Sequence, residues 1–282
     1  MKVFAYVDQS RFADSVWQHA VWAARQLNAQ VEIIHVLDQP PSLPTHDYSG
    51  YQVLDNPSSA MEERVRLDEL QNRVLIAEGR RLLDTIAGRI RDAGIASASQ
   101  RLFQGTLLDH LREHSAECLL AVIGRRGEAA DQDTQHLGRN VERLVRSAHR
   151  PVLVVASEFV PIHRATLAWD NGKSSGNAVH LLANQPLLHG VPTKLVHVTE
   201  HPERIPKSLE DAGEHLRASG MDVTATCING SVSDAVLQEV EQSESDLLII
   251  GAYGHSRIRH LVIGSITTEM LMRSETSVLI FH

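Results

Sequence analysis

The chain is one pattern written twice, and that repeat limits its fold more than any other feature. Residues 3–38 lie over residues 165–200 without a gap, at a constant offset of 162. Asp8 falls on Asp170, each closing a short apolar run, and His35-Val36 falls on His197-Val198. Farther along, Gly94 matches Gly220, Gly138 matches Gly264, and PVLVV (151–155) matches SVLIF (277–281), at an offset near 126. The offset drops by about 36, so the first copy carries an insertion of that size within 39–93. Two units follow, 1–156 and 162–282, joined by a short segment that holds Pro161. A length of 282 residues suits two domains, each large enough to bury a core.

Each copy alternates strand and helix patterns. In the second, strand-length apolar runs stand at 165–169, 195–198, 223–228, 247–251 and 277–281. Helical patterns stand between them at 174–188, 208–219, 233–243 and 264–273. LLIIG (247–251) is apolar throughout, as a strand buried on both faces requires. Gly220 follows a helical pattern as a C-cap glycine does. This alternation predicts an α/β fold, with a parallel sheet and helices on both faces. The insertion divides into a Pro-, Ser-, Asn- and Asp-rich loop at 38–59 and a helical stretch at 60–95. Leu67, Leu70, Val74, Leu83, Ile86 and Ile90 recur there at helical spacing, and Gly79 or Gly88 is placed to bend the helix. A solvated charged face is the plain expectation for this helix, and a partner-docking face is the sharper one.

Composition narrows the function classes. A formal net charge of −8 argues against a general nucleic-acid coat. No apolar stretch approaches the length that spans a membrane, and the first apolar run, ended by Asp8, is too short for a secretory signal. Cys118 and Cys227 form no CxxC, so reduced thiols in the cytoplasm are expected.

The chemistry concentrates where the fourth strand of each copy ends. The second copy reads GAYGHSRIRHLVIGSIT from Gly251. Gly251 and Gly254 are two residues apart, and nine residues then lead to Gly264-Ser265, where a helix begins. Missing side chains let main-chain N–H groups approach an anion. A helix N-terminus adds unpaired donors and a positive dipole end. A phosphate chain is the natural occupant. Asp170, at the carboxyl edge of the first strand, faces the same crevice in a doubly wound sheet and suits ribose or adenine donors.

The spacing Gly-x2-Gly-x9-Gly-Ser resembles the ATP-binding signature of the universal stress protein family. Asp8 and Asp170, the His-Val pairs, Gly105 and Gly230 before helices, and the apolar fourth strand support the resemblance over essentially the whole chain. It implies two tandem Rossmann-like domains of the adenine nucleotide alpha hydrolase-like kind. Each would be a five-stranded parallel sheet, and PVLVV and SVLIF would pair to form an internal pseudo-dimer. It implies an adenine nucleotide as ligand, ATP or else ADP or AMP, with Mg accompanying it. The positions carried over in the second domain are Ala168, Trp169, Asp170 and Val198 near the base, Gly251, Tyr253 and Gly254 near ribose and phosphates, and Gly264, Ser265 and Ile266 as the phosphate cradle. His255, Ser256, Arg257 and Arg259 lie on the loop between. No catalytic residue and no metal ligand is carried over. A stress-response or signalling role follows, with a further homodimer and an unidentified protein partner as additional expectations. An interaction protein with degenerate, nucleotide-free pockets and a slow ATPase are the alternatives.

The first copy departs from the signature. Its corresponding positions are Asp8, Val36, Gly124, Gly127 and Gly138. Ten residues rather than nine precede Gly138, and Arg139-Asn140 stands in place of the hydroxyl. Glu128, Asp131 and Asp133 oppose a triphosphate, while Arg125, Arg126 and Arg139 favour one, and a degenerate site is expected.

Competing motifs fail on spacing. Gly172-Lys173-Ser174 looks like the end of a P-loop, but Leu167 stands where the first glycine is required. GxGxxG and GxSxG are missing. His110 and His114 share a helix face and read as solvated, while His35 and His197 read as strand packing.

Overall fold

A computed structural model describes residues 1–37, 57–95, 98–127, 137–252 and 264–282, with side chains in the long helix from residue 66 onward. The first half runs β1 (Lys2–Tyr6), α1 (Ala13–Leu27), β2 (Gln30–Leu37), α2 (Pro57–Asp92), β3 (Ala98–Gln104), α3 (Leu107–Glu113), β4 (Cys118–Gly124), α4 (Arg139–Ser147) and β5 (Val152–Val155). The second repeats the plan with β6 (Ala165–Ala168), α5 (Lys173–Asn184), β7 (Thr193–Val198), α6 (Lys207–Ala218), β8 (Val223–Ile228), α7 (Val232–Gln242), β9 (Leu247–Gly251), α8 (Ser265–Arg273) and β10 (Ser277–Phe281).

All strands join one sheet in the order β3-β2-β1-β4-β5-β10-β9-β6-β7-β8. Each half is parallel, with its first strand between its second and its fourth. The halves meet where β5 pairs antiparallel with β10, Val154 opposite Val278 and Val152 opposite Ile280. This is the expected α/β architecture of two Rossmann-like sheets closed into an internal pseudo-dimer.

Alternation along the strands splits the core into two layers. Val3, Ala5 and Val7 face α1 and α2, while Phe4 and Tyr6 face α3 and α4. The second half does the same, with α5 and α6 on one face and α7 and α8 on the other. The central strands are apolar end to end because both of their faces are covered.

Among the described residues, the extra length of the first half enters as an N-terminal extension of its second helix, which starts at Pro57. Leu83, Ile86 and Ile90 of α2 are buried as Leu209, Ala212 and Leu216 of α6 are, 126 positions later. The preceding turns project, leaving Leu67, Leu70, Val74 and Leu75 exposed, so that stretch is not purely charged. The helix is continuous at Gly79, and closeness rather than bending explains this glycine. A Cβ there would lie 2.7 Å from His35 Cδ2 and 2.8 Å from Leu102 Cδ1. The helix read across 174–188 ends at Asn184, and a 3-10 turn from Pro186 to Leu188 replaces its last turn. Proline there lacks the N–H that would continue the helix. The loop expected at 38–59 lies outside the described residues up to 56.

Polar groups reinforce the seam. Ala156 N donates to Ser277 Oγ (3.2 Å), and that hydroxyl lies 3.0 Å from His19 Nε2. His19 Nδ1 faces the Ser15 carbonyl at 2.8 Å and so carries the proton, which leaves Nε2 to accept from Ser277. The Arg125 guanidinium donates to the main-chain oxygens of Ser274 and Thr276, the latter at 2.8 Å. The start of the first half's glycine loop is therefore fastened to the second half.

Burial lowers the His19 pKa to about 4, so the folded protein keeps this ring neutral. The unfolded chain binds its proton near the ordinary value of about 6.5. Stability from this group is therefore present at neutral pH and lost as pH falls from 6.5 toward 4. Urea unfolding at pH 7 and pH 5 is expected to show a loss smaller by about 1–2 kcal/mol in His19→Gln than in the parent. Equal losses in the two proteins contradict this assignment.

Candidate functional site

In each half the chain leaves neighbouring strands toward opposite faces at one place. In the second half that place lies between β6 and β9, whose following helices α5 and α8 cover different faces. A crevice at the carboxyl ends of such strands is where open α/β sheets bind ligands. Ala168, Trp169 and Asp170 end β6, Val198 ends β7 and Gly251 ends β9, so the fold brings these candidates to one edge. Gly264, Ser265 and Ile266 open α8 beside them, with Ser265 and Ile266 exposed. Tyr253 and Gly254, with His255, Ser256, Arg257 and Arg259, lie outside the described residues.

Asp170 is held by its own turn. Its Oδ1 accepts from Gly172 N (2.8 Å) and Ser175 Oγ (2.6 Å), an Asx-type turn that leads into α5. Asp8 does the same in the first half, where its Oδ1 accepts from Ser10 N (3.0 Å) and Ser10 Oγ (2.5 Å). Before each aspartate, a histidine from the next strand secures the strand end. His35 Nδ1 lies 2.8 Å from the Val7 carbonyl, and His197 Nδ1 lies 2.8 Å from the Trp169 carbonyl. The His-Val repeat thus serves as a clamp on the site's edge. The repeat in sequence signals the pair, and only the fold shows what it holds.

The first glycine of each motif answers to packing. A Cβ on Gly251 would lie 2.8 Å from Ser174 Cβ, and one on Gly124 would lie 2.5 Å from Phe12 Cβ. The opening helix of each half presses on the end of the fourth strand there. Thr267, three residues into the chain from Gly264, directs its hydroxyl to the carbonyls of Gly251 (3.2 Å) and Ala252 (3.3 Å). This bond fixes the start of α8 against β9, a link that the motif alone does not reveal.

Trp169 and Ala168 end the strand on opposite faces. Its ring packs on the layer under α5 and α6, whereas Ala168 and Val198 pack on the opposite layer with Ile250 and Ala252. Strand alternation sends neighbouring side chains to opposite faces.

The matching place in the first half is filled. Tyr6 stands where the second half has Ala168, and its hydroxyl lies 3.0 Å from His110 Nδ1. Phe103 adds its ring 5.0 Å from His110. Val36 packs on this same layer. Gly105 and Gly230 precede α3 and α7 alike, so His110 corresponds to Ala235 and Phe103 to Ile228. His110 is wholly buried and stacks on His114 at 4.5 Å, which corrects the reading of two solvated histidines. Burial, with the adjacent His114 and Arg101, lowers its pKa to about 4. The described ends of the first glycine loop meet at the start of α4. Gly138 N donates to Arg125 O (3.2 Å), and a Cβ on Gly138 would lie 3.2 Å from Arg126 Cα and 3.4 Å from Gly127 N. A Cβ on Gly127 would lie 3.0 Å from Asp8 Oδ2. At Gly264 nothing among the described residues comes nearer than Thr267 Oγ1, at 3.5 Å.

Among the described residues no group of three or more His, Cys, Asp or Glu side chains is arranged to hold a metal. Cys118 is buried and Cys227 half-buried, and both are free thiols. No helix among the described residues is long and apolar enough to cross a membrane.

The universal stress protein family pattern matches twice in succession, over residues 1–156 and 161–282. The chain belongs to the universal stress protein family. Universal stress protein Slr1230 of Synechocystis is 30% identical over 280 residues, covering 98% of this chain and 97% of that protein. A universal stress protein from Archaeoglobus fulgidus superposes over 99% of this chain and 97% of its own, with a TM-score of 0.70 at 17% identity. A functionally unknown protein from Pseudomonas aeruginosa covers 99% of this chain and 92% of its own, with a TM-score of 0.59 at 14% identity. At these identities the two structures show a shared fold. In this universal stress protein, the close contact at β9 makes a definite demand. Gly251→Ala is expected to destabilise by about 1–3 kcal/mol through overpacking on Ser174, read from the urea midpoint. An unchanged midpoint contradicts the packing role.

Proposed function

We propose that this universal stress protein binds one adenine nucleotide per chain, in its second half, as a stress-response or signalling protein. The observation that carries the proposal is the contrast at equivalent positions. Tyr6, Phe103 and His110 fill the face beside the first half's strand ends, and Ala168, Ile228 and Ala235 leave that face less filled in the second. Ala168, Val198 and Asp170 would border the base and ribose. Gly251, Tyr253, Gly254, Gly264, Ser265 and Ile266 would serve the phosphates, because main-chain donors at a helix start favour an anion. ATP is the nucleotide the motif fits best, and Mg would enter with it. The units are taken as 1–156 and 162–282, and two free thiols fit a cytoplasmic setting.

The same observation favours a structural role for the first half. Tyr6, Phe103 and His110 occupy the face beside its strand ends, and Arg125 at the start of its loop is bonded to Gly138 and to the seam. It serves as the fixed partner on which the binding half is mounted.

Calorimetric titration with ATP tests this reading. One nucleotide per chain is expected, with a raised melting temperature. Ala168→Tyr, which copies the first half's filling, is expected to weaken binding at least ten-fold while the fold persists. Two equivalent sites, no saturable binding, or an Ala168→Tyr variant with the parent's affinity contradicts it.

A further inference from the structure

Arg125 follows the first glycine of the first half's motif, where its charge is expected to favour a triphosphate in its own half. The structure turns its side chain elsewhere. Its main chain stays with the first half, donating to the Val155 carbonyl and accepting from Gly138 N, both at 3.2 Å. Its guanidinium crosses the seam and donates to the main-chain oxygens of Ser274 and Thr276, the latter at 2.8 Å. One residue thus ties together β5, the start of α4 and the turn that follows α8.

That turn lies at the far end of the helix that opens beside the second half's crevice. α8 has nine residues, which span about 13 Å. Its first turn, from Gly264, stands at the carboxyl edge of the second half. The antiparallel seam puts its other end, where the chain enters β10, beside the carboxyl ends of β4 and β5. Thr267 Oγ1 fixes the first turn to the Gly251 carbonyl (3.2 Å). Arg125 fixes the other end, and its charge suits the carbonyl end of a helix. α8 is therefore pinned at both ends, and the second pin comes from the other half. The arrangement runs one way. Ala252 stands at the position of Arg125, and its amide keeps the same main-chain bond, to Phe281 O at 2.7 Å. Its methyl group has nothing to donate across the seam.

We propose that Arg125 is a positioning residue for the nucleotide of the second half, a role that rests on the reading that this half binds one. It holds the carbonyl end of α8, so that the Ser265 and Ile266 N–H groups at the other end keep their aim toward a phosphate. A helix this short moves as a rigid rod, so slack at its last turn tilts its first. The first half thereby sets the affinity of a site at the opposite edge of the sheet.

Amide exchange in the nucleotide-free full chain and calorimetric titration with ATP test this role. Arg125→Met keeps the bulk of the side chain and removes its donors. Faster exchange is expected at the Thr268 amide, which bonds Gly264 O (3.0 Å), while the β5–β10 amides stay protected. ATP affinity is expected to fall about ten-fold. Arg125→Lys, which returns a charge and a donor, should lose less. In the parent, ATP should shift the amide NMR signals of Glu275 and Thr276 together with that of Ser265, a measurement that holds even where Arg125→Met does not fold. No ATP binding by the parent overturns the nucleotide reading and this role with it. Where the parent binds ATP, four results overturn the positioning role alone. They are parent-like affinity in folded Arg125→Met, a rise in exchange that is absent at Thr268 or equal at the seam, an equal loss in Arg125→Lys, and Glu275 and Thr276 signals that ATP leaves unmoved.

Discussion

The antiparallel pairing of β5 with β10 is the contact on which the architecture depends. Without it there are two five-stranded sheets, each with a bare apolar edge strand, and such edges invite uncontrolled association. The sequence supplies the edges as VLVV and SVLIF, and joining them inside one chain removes both at once. The pairing also sets the geometry of function. Each half is parallel, and the two run opposite ways across the seam, so their carboxyl edges face opposite ends of the sheet. The two strand-end crevices therefore open at opposite ends of the sheet.

The side chains beside them differ between the halves. Tyr6 and His110 are buried beside the first half's strand ends with Phe103 against them, while the Arg125 guanidinium donates to the main chain at Ser274 and Thr276. The ion pairs beneath have swapped sign. Arg101 Nε meets Glu32 (2.8 Å) in the first half, where the second has Lys194 against Glu239 (2.5 Å). Burial works to raise the Glu32 pKa, yet Arg101 and Lys2 hold it below the usual carboxylate range. The first pair ties two neighbouring strands and the second ties a strand to a helix, and such partly buried pairs add little net stability.

Local pattern made most of the fold legible. The strands read at 223–228, 247–251 and 277–281 agree with β8, β9 and β10: β9 and β10 lie inside the sheet and read as almost wholly apolar, while the edge strand β8 is marked by its β-branched residues. The strand ends that carry Asp170 and Val198 followed from the repeat. Contacts between distant residues stayed hidden. Nothing near His19 announces Ser277, and nothing near Gly79 announces His35 and Leu102. The face that Trp169 takes is set by strand alternation, which turns it away from its neighbour Ala168. Gly251 was read for its freedom beside a ligand, when a neighbouring helix already requires it to be small.

Native-state hydrogen exchange at the seam tests this account most directly. The account predicts that amides bonded between β5 and β10 exchange only with global unfolding, in a single transition shared by both halves. Seam amides that open while the interiors of both sheets stay protected, or halves that melt in two separate steps, would contradict it.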